Sequence, residues 1–256
     1  AFAGRSTSLE MSYFNLEGRE EGLILSVGWP GQWAAKFCCS EERVVHVVAG
    51  QEVTNFVLHP GEEVRTPLIV LQFWKERDWI ESQNIWRRWM KAHNVPKIDG
   101  KLPAPMVHGG SNRVYFEMVN ANEENQLMFI DRYLEEGLAI DCWWMDAGWY
   151  FGDEGTWKKT GTWEVDTNRF PRGLRPISDY AHSKGIKTIL WFEPERVDVD
   201  TWLTLNHPEW VLGPASTQKG FVEGAKSHWS GTKYRLLNLG NPDAREWLTD
   251  HVDNLL

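Results

Sequence analysis

The spacing of apolar residues changes near residue 78, and this change constrains the fold more than any other feature of the chain. Before it, short apolar runs at residues 23–27, 44–48 and 68–71 are separated by Gly and Pro turn signals, which is typical of antiparallel strands. After it, apolar runs alternate with stretches of helical spacing, which indicates parallel strands joined by helices. The sequence therefore predicts an antiparallel β unit followed by an α/β unit.

The second half of the chain gives a regular series of predicted elements. A helix begins at Asp78, where apolar residues including Trp79, Ile80, Trp86 and Trp89 recur at helical spacing. Three buried strands are predicted at residues 106–108, 138–145 and 186–192. Further helices are predicted at residues 122–136, at 176–184, near 200–206 and from 242 onward, with Gly137 and Gly185 as stop signals.

The three predicted parallel strands end in polar and aromatic residues. Because the carboxyl ends of parallel strands meet at one edge of the sheet, we expect these side chains to converge. A carboxylate there is costly unless it is paired or functional. The candidate substrate-binding residues at this edge are Ser111, Asn112, Trp144, Asp146, Trp191, Glu193 and Arg196.

Each candidate also has a structural explanation. Asp146 fits a turn or helix cap, because Asp favours both. Glu193 or Glu195 fits an ion pair with Arg196, and Trp191 fits core packing. The 16 Trp of the chain pose the same choice, since an indole suits either a protein core or the apolar face of a sugar ring.

Composition excludes several classes of partner and cofactor. The formal net charge of −9 argues against a nucleic acid or an anionic membrane as partner, and no apolar run is long enough for a membrane-spanning helix. The 8 His show no metal-ligand spacing, and no phosphate-binding glycine motif is present, so we expect no metal and no cofactor. Three cysteines leave at least one thiol unpaired, which fits a reducing compartment but leaves the location unknown. A secreted or extracytoplasmic location is slightly favoured over the cytoplasm.

Several segments resemble glycoside hydrolase family 36. ILWFEPERV at residues 189–197 resembles the family's WFEPE signature, and WMDAGWY at 144–150 resembles its DDGWF loop. The stretch between them, at residues 162–187, matches the family's W…FP-GL-P segment, and NHPEWV at 206–211 matches its HP-W element. The order of these matches makes the resemblance specific over most of the chain.

The resemblance implies a fold with an antiparallel β-sandwich and a (β/α)8 barrel. Residues 1–77 would be the C-terminal part of an N-terminal sandwich, 78–104 a helix and linker, and 105–256 the first βα units of an incomplete barrel. It also implies retaining hydrolysis of α-galactoside-type oligosaccharides or glycans by two carboxylates. The family's nucleophile and acid/base motifs do not occur in these residues, so we expect a fragment that holds no catalytic residue and is inactive alone.

Departures from the family pattern leave the substrate open. Asp146 matches the first Asp of the family's pair, which accepts hydrogen bonds from sugar hydroxyls, but the second position is Ala147. Ser111 stands where the family often has Trp, which would widen the subsite. The alternatives are an α-N-acetylgalactosaminidase or α-galactosaminidase, and a non-catalytic sugar-binding module using Trp29 and Trp33. The sequence also leaves room for a homo-oligomer.

Overall fold

The computed structural model of the chain describes residues 6–52, 54–75, 78–115, 118–152, 159–161, 163–212 and 234–255, apart from the side chains of 114, 115 and 234. The chain divides into two compact units, Ala1–Pro103 and Ala104–Leu256. Each unit has its own hydrophobic core.

The described residues of the first unit form antiparallel strands and one helix. β1, β2 and β5 form one three-stranded sheet in the order β1-β2-β5, and β3 pairs with β4 in a separate hairpin. The helix is α1 (Trp79–His93), whose N-cap Asp78 accepts a hydrogen bond from the Glu81 amide. The strands are β1 (Tyr13–Glu17), β2 (Glu21–Gly28), β3 (Trp33–Cys39), β4 (Val45–Gln51) and β5 (Leu68–Lys75).

Strand β2 is buried on both faces, which explains its nearly continuous apolar run. Ile24 packs with Trp74 of β5 and Trp86 of α1 on one face. Leu25 packs with Trp33 of β3 on the other face. A strand covered on both sides gains no stability from polar alternation, so its sequence reads as an apolar block rather than as a half-buried strand.

Three tryptophans of this unit differ in burial. Trp79, at the start of α1, is more than half exposed, as is the neighbouring Ile80. Trp33 was a candidate for a sugar-binding surface, but it is 2% exposed and its Nε1 donates to the backbone carbonyl of Ser6 at 2.8 Å. Trp29, half-buried, packs against the same cluster.

The second unit contains a parallel sheet flanked along the chain by helices. Its elements are β6 (His108–Gly110), α2 (Asn112–Tyr115), α3 (Glu123–Glu135), β7 (Cys142–Met145), α4 (Arg175–Ser183), β8 (Lys187–Leu190), β9 (Arg196–Asp198), α5 (Trp202–Asn206), a 3₁₀ turn (Pro208–Trp210), β10 (Val211–Leu212), β11 (Tyr234–Leu237) and α6 (Pro242–Leu255). β6, β7 and β8 lie side by side in that order, and both pairs are parallel.

Helix α3 connects β6 to β7, and its ends follow the sequence signals. The Asn122 side chain accepts a hydrogen bond from the Asn125 backbone amide, and the Asn125 side chain accepts one from the Asn122 backbone amide, forming a capping box. The chain leaves the helix at Gly137, whose φ is 74°, in the left-handed region that favours glycine. Both ends agree with the prediction.

The predicted strands are longer than the observed ones. Met106 and Val107 were expected to be buried, but they are 48% and 56% exposed, and β6 begins only at His108. Leu138 is also exposed, and β7 begins at Cys142. Short apolar runs beside a strand are indistinguishable from strand residues by periodicity alone.

A second, antiparallel sheet was not predicted. β9 pairs with β11, and β11 pairs with β10, so strands separated by many residues form one three-stranded sheet. These strands are two to four residues long, too short to give an alternating pattern.

Candidate functional site

The ends of the three parallel strands lie next to one another. Gly110 of β6 is level with Trp144 of β7, and Trp144 is level with Ile189 of β8. One step further, the Trp191 amide donates to the Met145 carbonyl at 2.9 Å, which continues the pairing beyond β8. The residues that follow these strands therefore leave the sheet at one common edge.

Two indole rings form the aromatic part of this edge. The rings of Trp144 and Trp191 have centroids 6.0 Å apart and planes tilted by 33°. Trp191 is 37% exposed, whereas Trp144 is half-buried and also lies 5.4 Å from the His108 ring. The Nε1 of Trp144 is buried and has no hydrogen-bond partner in the described part of the chain, so it remains an unused donor.

Asp146 follows directly after β7 and is half-buried. Its Oδ1 accepts a hydrogen bond from the Ala147 amide at 2.8 Å, which is the local turn geometry that Asp favours. Two residues later the chain turns at Gly148, where φ is 91°. One carboxylate oxygen therefore stabilises the turn.

Glu193 and Arg196 form an ion pair with each other. Each side chain is 16% exposed, so the pair is largely shielded from water. The Arg196 amide also donates to the Glu193 carbonyl at 3.1 Å, which closes a turn between β8 and β9. Glu195 between them is exposed, and its carbonyl accepts from the Leu237 amide at 3.2 Å.

The two candidates after β6 differ in their surroundings. Ser111 is 1% exposed, and its hydroxyl accepts a hydrogen bond from Gln126 Nε2 at 2.8 Å. Asn112 is exposed at the start of the one-turn helix α2. Ser111 therefore belongs to an internal network, whereas Asn112 faces solvent.

Gln126 is a residue that sequence reasoning missed. It lies on α3, is fully buried, and its Oε1 accepts from Trp143 Nε1 at 3.2 Å as well as facing Ser111. The amide thus links β7 to the loop after β6. A buried Gln at a helix position otherwise expected to be apolar was the available signal, because such a group must find partners.

A second missed residue, Arg169, lies in the polar loop between β7 and α4. Its side chain is 16% exposed and pairs with Asp166, whose side chain is 8% exposed. The same guanidinium reaches backbone carbonyls in two other loops. A buried arginine in a loop cannot be recognised from spacing, because every residue type has the backbone carbonyl that its N–H groups bind.

No helix in the described ranges is long and apolar enough to cross a bilayer. No group of three or more His, Cys, Asp or Glu among those residues is arranged to hold a metal ion.

Comparison with known proteins assigns the family. The family model described as Melibiase matches residues 79–256. The chain is 40% identical to Alpha-galactosidase 2 of Pediococcus pentosaceus over 189 residues, which is 73% of this chain and 25% of that protein. It is 27% identical to Alpha-galactosidase Mel36A of Lactobacillus acidophilus over 83% of this chain and 27% of that protein. The chain thus spans about a quarter of the length of these relatives.

Solved structures of GH36 α-galactosidases have the same fold as this chain. The GH36 alpha-galactosidase AgaB from Geobacillus stearothermophilus superposes with a TM-score of 0.74 at 19% identity, over 94% of this chain and 32% of that structure. The galactosidase domain of AgaSK superposes with a TM-score of 0.75 at 18% identity, over the same shares. The fold is therefore that of the corresponding part of GH36 α-galactosidases, with a β-rich N-terminal unit.

These comparisons confirm the resemblance drawn from the motifs at residues 144–150 and 189–197. The family model covers the parallel sheet, its strand ends and the loops between them. The chain therefore belongs to the Melibiase family, and the solved structures that it resembles are GH36 α-galactosidases.

Proposed function

We propose that these residues act as part of a longer retaining α-galactosidase and supply one side of its galactose-binding pocket. The observation that carries the proposal is the Melibiase match, which includes the edge where Trp144, Asp146 and Trp191 leave adjacent strands. The relatives named α-galactosidase support the activity. Variants of one GH36 neighbour, the α-galactosidase AgaA from Geobacillus stearothermophilus, were solved with raffinose and with stachyose, which supports α-galactoside oligosaccharides as the substrate class.

We propose further that β6, β7 and β8 are the first strands of a (β/α)8 barrel. Their parallel order and their alternation with α3 and α4 support this architecture. In such barrels the active site lies at the carboxyl ends of the strands, which is the edge that holds the candidate residues. Residues outside this chain would supply the nucleophile and the acid/base.

The roles proposed for the individual side chains follow from their exposure and partners. The carboxylate of Asp146 has accepting capacity beyond its bond to the Ala147 amide, and an ionised carboxylate accepts strong hydrogen bonds from hydroxyls. Trp191 offers a partly exposed ring for the apolar face of a sugar, and the half-buried ring of Trp144 lies beside it.

The other candidates act less directly in this proposal. The pair of Glu193 with Arg196 holds the turn after β8, and the bond of Ser111 with Gln126 holds the chain after β6. Asn112 is exposed and available to a ligand. These residues would support the edge, while Asp146 and Trp191 would contact the sugar.

A galactosaminide substrate is the second candidate, because Ala147 lacks the carboxylate that the family pattern places after Asp146. A site without this carboxylate discriminates less strongly against sugars in which the hydroxyl bound by the carboxylate is absent or replaced. The same catalytic chemistry would then act on a 2-amino or 2-acetamido sugar.

A panel of nitrophenyl α-glycosides, assayed with the complete enzyme that contains residues 1–256, tests both candidates. We expect the highest kcat/KM with the α-galactoside. A higher kcat/KM with the α-N-acetylgalactosaminide or α-galactosaminide would assign the second candidate. Saturable binding of galactosides without turnover of any member of the panel would identify a non-catalytic sugar-binding module and overturn the proposal.

A further inference from the structure

Arg169 is held by acceptors at every one of its five N–H groups. Its Nε donates to Asp166 Oδ2 at 2.7 Å. One terminal nitrogen donates to the carbonyls of Met118 at 3.0 Å and Ala121 at 2.8 Å. The other donates to the carbonyls of Gly148 at 2.5 Å and Tyr150 at 3.2 Å. A guanidinium carries five donors, so none remains for a ligand.

The acceptors belong to two different loops. Met118 and Ala121 lie between β6 and α3, and Gly148 and Tyr150 lie in the loop directly after β7. Arg169 itself lies in the segment before α4. A single side chain therefore ties together three connections at one end of the parallel sheet.

The ion pair with Asp166 makes this arrangement stable in a buried place. The Arg169 and Asp166 side chains are 16% and 8% exposed. A buried guanidinium needs a compensating charge and full hydrogen bonding, and it has both. The Asp166 amide also donates to the Trp149 carbonyl at 3.2 Å, which adds a second tie to the loop after β7.

One of the tied residues has an unfavourable backbone conformation. Met118 is fully buried and has a φ of 66°, a value that non-glycine residues rarely adopt. Such a conformation persists only where the surroundings enforce it. The bond from Arg169 to the Met118 carbonyl is one such constraint.

The tied loop carries Asp146. The chain runs from Asp146 through Ala147 to Gly148, so the carboxylate lies two residues before a carbonyl that Arg169 holds. We propose, on the basis of the function proposed above, that Arg169 is a positioning residue that fixes the Asp146 carboxylate for the sugar hydroxyl. It is not a catalytic residue, because its donors are used by the protein.

Arginine is required for this role by its shape. The planar fork directs two donors towards each pair of carbonyls, whereas the ammonium of lysine carries three donors at one point. Arg169→Lys keeps the charge for Asp166 but leaves carbonyls of at least one loop without their donor. We therefore expect Arg169→Lys to move the loop while the charge is conserved.

The test is a double-mutant cycle in the complete enzyme. We expect Arg169→Lys to lower kcat/KM on an activated α-galactoside by about tenfold to a hundredfold, because a displaced binding group loses that order of rate. In an Asp146→Asn background, which keeps the acceptor for the Ala147 amide, the same change is expected to cost less than about threefold. Equal losses in both backgrounds, or a loss within twofold in the parent, would overturn the proposal.

Arg172→Lys is the matched control. Arg172 lies three residues away, is 68% exposed and pairs with Glu123 of α3 rather than with the carbonyls. Its variant is expected to stay within twofold of the parent in both backgrounds. If Arg169→Lys does not fold, Asp166→Asn replaces it in the double-mutant cycle. This change weakens the ion pair with Arg169 and leaves the Arg169 guanidinium in place.

Hydrogen exchange separates this inference from the proposed activity. Faster amide exchange at residues 147–150 in Arg169→Lys, with no change in Arg172→Lys, is the expected result whether or not the enzyme hydrolyses galactosides. Unchanged exchange there would overturn the positioning role. A parent enzyme inactive on every α-glycoside would overturn the proposed function while leaving the loop constraint intact.

Discussion

The Nε1 of Trp149 donates a hydrogen bond to the backbone carbonyl of Trp191 at 2.9 Å. Trp149 is fully buried in the loop after β7, whereas Trp191 is 37% exposed at the end of β8. A rigid, buried indole thus fixes the backbone from which an exposed indole projects. The two strand ends are joined by this bond as well as by their ladder.

Removing this bond is expected to affect both stability and sugar binding. Trp149→Phe loses the donor and part of the packed ring, which should cost about 2–4 kcal/mol of unfolding free energy. Because the Trp191 backbone is released, KM for an α-galactoside should rise as well. Denaturant unfolding and steady-state kinetics of the complete enzyme measure the two effects.

Trp33→Phe is the control for this prediction. Trp33 is equally buried, and its Nε1 also donates to a backbone carbonyl, that of Ser6, but it lies in the first unit. We expect it to lower stability and leave KM unchanged. A rise in KM for Trp33→Phe equal to that for Trp149→Phe would contradict the link to Trp191.

The ion pair of Glu193 with Arg196 is expected to contribute to stability more than to binding. Both side chains are largely shielded, so Glu193→Gln, which removes the negative charge of this pair, should cost about 1–3 kcal/mol of unfolding free energy. Thermal unfolding of the complete enzyme measures this loss. We expect this loss because the pair is shielded from water, whereas an ion pair exposed to solvent contributes little to the free energy of unfolding.

Glu135→Gln provides the comparison, because the Arg132–Glu135 pair is 65% and 60% exposed. It should cost less than about 1 kcal/mol. A change in KM for Glu193→Gln of tenfold or more with unchanged unfolding would show instead that Glu193 contacts the sugar.

Cys142 is expected to resist thiol reagents that modify Cys38 and Cys39. It is 1% exposed on β7, whereas the other two are exposed on β3. Burial raises the pKa of the Cys142 thiol, and nearby Lys187 only partly opposes this. Site-resolved alkylation at pH 8 should label Cys38 and Cys39 at least tenfold faster, because the thiolate is the reactive form.

The same shift predicts the direction of a pH effect on stability. The folded state favours the neutral Cys142 thiol over the thiolate. The contribution of this thiol to the free energy of unfolding is therefore complete below the ordinary thiol pKa and is lost as pH rises through the raised pKa. Cys142→Ala should remove this part of the alkaline loss. An unchanged alkaline profile in that variant, or equal labelling of all three cysteines, would contradict the prediction.

Residues 1–256 expressed alone are expected to bind apolar dyes. Ile69, Leu71 and Phe73 share one face of β5 and are 40%, 51% and 75% exposed. A continuous apolar face of this kind attracts dyes and other proteins. Phe73→Lys should lower dye fluorescence, and Leu9→Lys, which changes an equally exposed residue outside the strands, should not. Equal effects of the two changes would contradict a localised face.

Sequence patterns predicted the long elements and the positions of the strand ends, but not the interactions made there. Helix α3 follows from its Asn122 cap and Gly137 stop, because both signals are local. Trp33 was misassigned because composition does not distinguish a core indole from a surface one. Arg169 was missed because its function depends on backbone carbonyls in two loops that only the fold brings together.

The most direct test of the proposed pocket is kcat/KM of the Asp146→Ala variant of the complete enzyme on a nitrophenyl α-galactoside. A hydrogen bond to an ionised group is worth about 1.5–3 kcal/mol, so we predict a loss of about tenfold to a few hundredfold with unchanged circular dichroism. Trp191→Ala should give a loss of similar size. Efficiency within twofold of the parent in Asp146→Ala, with the fold intact, would mean that Asp146 only stabilises its turn through the Ala147 amide.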